Sequence, residues 1–278
     1  MSGRYLIVNA DDYNTDWERN QGILKAAQQG IVTSVSVLAN CPWQDNTFSG
    51  LASLFQKKAG IHLNLTRGYP LTAGLTTVVD GKGRFLEKHA IWRKALAGRL
   101  DTDELEQEFS AQILRLKEAG IVPDHMDGNN HIHVFPGIAR AAARAALRFG
   151  IQKIRLPLER FSPIRKFAPK KIFIGALSLR ARALFKHHGL MHTDYFAGIH
   201  EPCVCRAASL RGFIRNLPEG TTELMCHPGY CSASGNPFSN DEREKEAAAL
   251  IDQGVLSDIK KYSVTLISYS DLSSCALP

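Results

Sequence analysis

Tyr5-Leu6-Ile7-Val8, running into Asn9-Ala10-Asp11-Asp12-Tyr13, is a short apolar strand that ends on two adjacent carboxylates. Like charges side by side repel, and more so beside a low-dielectric core. A chain that needed only a turn could place Asn, Gly or Ser there. The pair therefore implies a cation or a proton to manage, set against the plainer alternative of a solvated turn and a helix cap. Outward from this strand the pattern repeats. Thr15 with Glu18 reads as a capping box opening a helix that Gly30 closes. Residues 32–39 and 59–65 read as further strands, the latter containing Gly60-Ile61-His62-Leu63-Asn64-Leu65.

The Asp-Gly turn in Val78-Val79-Asp80-Gly81-Lys82-Gly83-Arg84-Phe85 predicts a hairpin excursion near 76–86. Beyond it, strands are predicted at 124–127, 153–156, 193–196, 222–226 and 264–267, with helices between them. A second capping box, Ser239 with Glu242, opens one of these helices. Seven or eight strands, most followed by a helix, predict an α/β fold with a parallel sheet and right-handed crossovers. At 278 residues a distorted (β/α) TIM-like barrel is favoured over an open sheet, with residues 1–278 forming one domain. No strand is followed by a glycine-rich nucleotide signature.

Hydrophobic residues make up 44% of the chain and charged residues 22%, ordinary values for a globular protein with an ample core. No apolar run is long enough to span a bilayer, and the start lacks the charged-apolar-small order of a secretion signal. The expected compartment is the cytoplasm. The six cysteines are read as buried or idle thiols; Cys203, Cys205, Cys226 and Cys231 lack the usual spacing of zinc ligands. The net charge of +7 is concentrated between Arg160 and His188, but no nucleic-acid motif accompanies it, so no nucleic-acid partner is expected. Within 163–188, an ordinary helix with a solvated basic face is favoured over one lying on an anionic membrane.

A barrel builds its active site at the carboxyl ends of its strands, and the unusual polar residues fall there. Asp11 and Asp12 follow the first strand, His62 lies in the third, and His125 and Asp127 lie at the fourth. Arg155 lies in the fifth and Asp194 in the sixth, and His227, in His227-Pro228-Gly229, follows the seventh. Alone, His62 reads as a satisfied core histidine, and His125-Met126-Asp127 as a surface pair or as an Asp orienting a His on one strand face. Arg155 is a candidate partner for a buried carboxylate such as Asp11 or Asp127. Together the residues suffice for metal-assisted hydrolysis of an amide or ester. Asp12, His62 and His125 are candidate ligands for one divalent cation, Asp11 the base and His227 the acid. Imidazole ligands favour Zn2+ or another transition ion.

Asn9-Ala10-Asp11-Asp12-Tyr13, Gly60-Ile61-His62-Leu63-Asn64-Leu65-Thr66, His125-Met126-Asp127-Gly128 with His131 and His133, Arg155-Leu156-Pro157, Asp194-Tyr195-Phe196-Ala197-Gly198 and His227-Pro228-Gly229 together resemble the YdjC-like carbohydrate deacetylases. That family includes chitooligosaccharide deacetylase and hopanoid-associated deacetylases. The resemblance spans nearly the whole chain. It implies a polysaccharide-deacetylase-like barrel that removes N-acetyl groups from amino sugars, with magnesium as the usual metal. It also implies Asp12, His62 and His125 as ligands and Asp11 as base; His227 as acid follows by analogy with the wider deacetylase group. Arg155 is placed with the catalytic residues, and Asp127, Asn129, His131 and Asp194 on the substrate side. Two departures stand out. Asn14 occupies a position where members often carry Gly or a small residue, and Asn129-Asn130 stands where a histidine is common. Asn can bond a sugar hydroxyl but cannot shuttle a proton. The expected partner is an N-acetylated sugar, with lipid linkage and homo-oligomerisation left open. The rival readings are a metal-dependent phosphoesterase and a catalytically idle sugar-binding protein.

Overall fold

Seven strands of the computed structural model, β1 (Arg4–Tyr13), β2 (Ser34–Val37), β3 (Ala59–Leu63), β4 (Met126–Gly128), β5 (Tyr195–Ala197), β6 (Gly220–Cys226) and β7 (Val264–Leu266), form one parallel sheet. The structure describes residues 3–43, 47–55, 58–159, 169–199, 206–232, 236 and 238–272. Strand order is β4-β3-β2-β1-β6-β5, with β7 beside Arg4–Leu6 of β1. Single parallel bridges, Met126 to Ile154, Lys153 to Met191 and Glu159 to Phe196, carry the wall round from β4 towards β5. The result is the distorted α/β barrel expected from the alternation of strands and helices. One strand expectation is corrected: 153–156 contributes bridges and not a ladder, for it runs into Pro157, which has no amide proton to donate.

The central strands are buried along their length, as expected for strands covered on both faces: Leu6, Ile7, Val8, Val35, Val37, Ile61 and Leu63 are all fully enclosed. Helices α1 (Trp17–Gln29), α2 (Thr47–Phe55), α3 (Lys88–Leu96), α4 (Thr102–Glu118), α5 (Ile138–Phe149), α6 (Pro169–His187), α7 (Ala207–Arg215), α8 (Asp241–Leu250) and α9 (Gln253–Lys261) surround the sheet. An alanine-rich inner face, Ala139, Ala142, Ala143 and Ala146, lets α5 pack closely beside α4.

Both predicted capping boxes give way to simple side-chain caps one residue later. Asp16, extended at φ −158°, caps α1 by accepting from Arg19 N at 2.7 Å. Asn240 caps α8, because the hydroxyl of Ser239 is already given to the second oxygen of Asp16 at 2.7 Å. One carboxylate thus ties the start of α1 to the loop before α8. The excursion closes through a single antiparallel bridge, Val79 to Phe85. Cys41 and Cys226 are buried and Cys231 is exposed, all three as free thiols. Cys203, Cys205 and Cys275, and the first part of the basic stretch at 163–168, lie outside the described residues. Among the described residues no helix is long and apolar enough to cross a membrane.

Candidate active site

Neighbouring residues on a regular strand point to opposite faces, yet Asp11 and Asp12 both reach the same imidazole. The cause is a bulge. Ala10 pairs with Val35 and Tyr13 with Val37, so two residues of β1 oppose the single residue Ser36 of β2. Asp12 absorbs the extra length in the left-handed region at φ 68°. Asn14 follows at φ 74°, a conformation that Gly and Asn adopt most readily. Its side-chain amide donates to Leu38 O and Cys41 O at 2.9 and 3.3 Å, and its own N–H to Asn20 at 2.7 Å. This accounts for the departure at position 14.

Beneath the bulge lies a buried charge cluster centred on Arg155. Its Nη1 and Nη2 donate to the two oxygens of Asp11, both at 2.6 Å. The same guanidinium reaches Asp127 at 2.7 Å and Glu223 at 2.8 Å, and the Tyr269 hydroxyl donates to the far oxygen of Glu223. All five side chains are enclosed. Burial opposes ionisation of Asp127, but Arg155 and then His62 outweigh it and hold the carboxyl well below its usual range. Glu223 is pushed up, chiefly by burial, despite Arg155.

His62 joins this cluster to the mouth of the barrel. Its Nδ1 bonds Asp127 Oδ1 at 2.7 Å, while Nε2 faces Asp12 Oδ1 at 3.6 Å. Burial opposes its charge, but Asp127, with Asp11 and Asp12, raises it to about 9. Among the described residues the potential ligand atoms gathered within 4.8 Å belong to Asp11, His62 and Asp127. Arg155 already serves Asp11 and Asp127 as their cation. Asp12 differs: His62, His227, Arg19 and Arg67 keep it ionised against its burial, and 19% of its side chain meets solvent. An imidazole whose second nitrogen is fixed by a carboxylate, facing another carboxylate at the mouth, suits a divalent cation. The donor set fits the group that the sequence implies.

The remaining candidates fall in three places. His125 sits lower in the barrel, apart from this group. Its Nδ1 bonds Asp124 at 2.6 Å, its Nε2 contacts Ser36 at 3.2 Å, and its ring stacks on Tyr269 at 3.9 Å. With both nitrogens engaged, His125 is not among the described residues whose potential ligand atoms gather around His62. Asp127 likewise lies wholly inside, behind His62, rather than on the substrate side. Asp194 is at the opposite end. Its carboxylate accepts from Thr221 N at 2.8 Å, and Thr221 stands at the amino-terminal start of β6. The structure does not bring it to the other candidates.

At the mouth, Asn129 and Asn130 both donate to the Thr66 hydroxyl at 3.2 Å. His131, at φ 58°, meets the ring of Phe196, and its buried Nδ1 lacks a hydrogen-bond partner. Burial, with Arg155 and Lys170, keeps it neutral. His227 follows β6, with its N–H given to Glu246 at 2.8 Å and its carbonyl held by Arg19. A Cβ on Gly22 would stand 2.4 Å from Gly229 Cα, so α1 can press against the His227-Pro228-Gly229 turn only with glycine there. Burial lowers His227 to about 4, although Asp11 and Asp12 pull the other way.

Sequence reading missed Glu223, Tyr269 and Ser36. Glu223 carried a usable signal: a carboxylate in the strand expected at 222–226, directly before Leu224-Met225-Cys226, needs a buried partner. Ser36, which bonds Asp127 at 2.9 Å and receives Asn9 at 2.8 Å, carried none.

Fold and site together define an α/β barrel with a carboxylate–imidazole centre at the carboxyl ends of β1 and β3. Residues 5–261 match the family described as YdjC-like protein. The chain belongs to that family. It is 32% identical to a human carbohydrate deacetylase, over 97% of this chain and 91% of the relative. It is 30% identical to the carbohydrate deacetylase of Geobacillus stearothermophilus, over 96% of this chain and 98% of the relative. A solved Enterococcus faecalis V583 protein, named as a candidate for cellobiose-phosphate cleavage, shares the fold. Its TM-score is 0.78 at 20% identity, over 98% of this chain and all of that one.

Proposed function

We infer that this protein is a metal-dependent carbohydrate deacetylase that hydrolyses the N-acetyl group of an amino-sugar substrate. The observation that carries the reading is the facing pair of Asp12 and His62 Nε2 at 3.6 Å, with Asp127 fixing the imidazole from behind and Asp11 alongside. The names of the relatives supply the substrate class. Asp12 and His62 would hold the cation, which when bound would polarise the amide carbonyl and lower the pKa of water. Asp11, fixed in place by Arg155, takes the proton from the attacking water. His227 gives a proton to the departing amine. It rests neutral, so it must first take up the proton it delivers, the one Asp11 has removed from the water, a change that the negative charges of Asp11 and Asp12 favour. Asn129, Asn130 and Thr66 present amide and hydroxyl groups suited to sugar hydroxyls. Free thiols at Cys41, Cys226 and Cys231 suit a reducing compartment, in keeping with the cytoplasm.

The test is acetate release from a panel of N-acetylated amino sugars and their oligomers, with and without chelator. Acetate should form, chelator should abolish it, and add-back should identify the ion. The family resemblance favours Mg2+ and the imidazole ligand favours Zn2+. Phosphate release from sugar phosphates without acetate release would establish the phosphoesterase reading instead, and sugar binding without turnover the idle one.

A further inference from the structure

Helix α6 buries Ile174, Leu177, Ala181 and Phe185 against the barrel, the ordinary inner face of an amphipathic helix. Its outer face is not simply polar. Ile172, Ala176, Leu179 and Ala183 are exposed and recur at spacings of four, three and four, which stacks them in one stripe. The stripe is about 16 Å long at the helical rise of ~1.5 Å per residue. Ile172 is 39% and Leu179 56% exposed, so large apolar side chains face water. At about 100° per residue, Arg180 falls on one flank of the stripe and Arg182 and Lys186 on the other. The helix, PKKIFIGALSLRARALFKH, contains no acidic residue. Beside Arg180, a hollow of about 230 Å³ between α5 and α6 is lined by Val134, Pro136, Arg140, Arg180 and Leu184.

We propose that this outer face of α6, with the adjoining hollow, is a docking surface for an anionic phospholipid bilayer. The inference goes beyond the deacetylase reading and does not depend on it. An apolar stripe bordered by cations matches a surface that is apolar below and anionic at headgroup level. The stripe enters the boundary while Arg180, Arg182 and Lys186 stay at the phosphates. Arg140 and Arg180 offer two guanidinium groups to one headgroup in the hollow. A second copy of the chain fits less well, because two such stripes face to face would oppose cation to cation. The acidic side chains beyond α5 are already engaged: Asp103 and Glu106 of α4 pair with Arg144 at 3.2 and 3.5 Å.

The test is co-sedimentation of the full chain with vesicles of phosphatidylcholine alone and with 30 mol% phosphatidylglycerol, at low and high salt. Binding should require the anionic lipid and fall at least tenfold at high salt. Leu179→Glu and the double variant Arg180→Glu, Arg182→Glu should each lose tenfold or more. All three positions are exposed and outside the site, so circular dichroism and acetate release from a soluble sugar should match the parent protein and exclude misfolding. Equal binding to both vesicles, or variants that bind like the parent, would overturn the proposal. So would a parent dimer that Leu179→Glu converts to monomer without altering vesicle binding, which would make the stripe a self-contact. Vesicle binding is read without chemistry, so its failure is separate from failure of the deacetylase reading.

Discussion

Arg155 donates to both oxygens of Asp11 at 2.6 Å, from a position 144 residues along the chain. The same guanidinium neutralises Asp127 and Glu223, so one cation serves three buried carboxylates. Arg155→Met should leave those carboxylates uncompensated and cost roughly 3–5 kcal/mol or prevent folding, the scale seen when a buried pair loses one partner. Urea denaturation measures this. Asp11→Asn removes a negative charge from a cluster that has several, so it should fold and keep its metal. Its turnover should drop by about 10²-fold or more, as for a lost general base. Near-normal turnover would remove Asp11 from the role of base.

Metal content should separate His62 from His125. His62→Ala and Asp12→Ala should each abolish stoichiometric metal, measured by atomic emission on the purified protein. Asp127→Asn should weaken metal affinity about 10–100-fold, the usual effect of losing the carboxylate behind a ligating imidazole. His125→Ala should keep the metal but lower the melting temperature, for it empties a stacked site against Tyr269. Loss of metal in His125→Ala would restore it as a ligand.

His227 should titrate far below a free imidazole. Burial lowers it to about 4, so its ring carbon signals should remain those of the neutral form at pH 6 in NMR. A midpoint near 6.5 would overturn this expectation. His227→Ala should reduce turnover by about 10²-fold or more while leaving metal content unchanged.

Stability in the presence of chelator should peak near pH 6.5. His133 and His227 are lowered to about 4 by burial, and His131 is lowered as well. Below 6.5 the unfolded chain takes up protons that these folded rings refuse, so stability falls as pH drops towards 4. Each of His133 and His227 contributes on the order of 3 kcal/mol to that fall. His62 acts with the opposite sign. Its folded value of about 9 adds stability that is complete below 6.5 and lost as pH rises through 9. Thermal melts between pH 4 and 9.5 check this, and His62→Gln should flatten the alkaline limb alone.

The barrel was legible because apolar runs alternate with helices, and because the site residues cluster at strand ends. What escaped the sequence was direction and depth. Asp194 precedes its strand and Arg155 follows the bridges at 153 and 154, yet on paper both are polar residues beside apolar ones; only the direction of β5 and β6 separates the two ends of the barrel. His125 and Asp127 share a strand face, as their spacing demands, but at different heights: one bonds Asp124 and the other bonds His62. The tie between Arg155 and Glu223 joins residues 68 apart, a distance across which no local pattern operates.

The bulge in β1 makes the pairing of Asp11 with Asp12 a matter of chain length as much as of side-chain identity. Removing one residue between Ala10 and Tyr13 would let β1 and β2 run in unbroken register, a change the sheet itself should tolerate. The single aspartate left opposite Ser36 could then point either to Arg155 or to the mouth, but not to both. A loss of three nucleotides would thus turn this centre into an inert scaffold with its sheet intact.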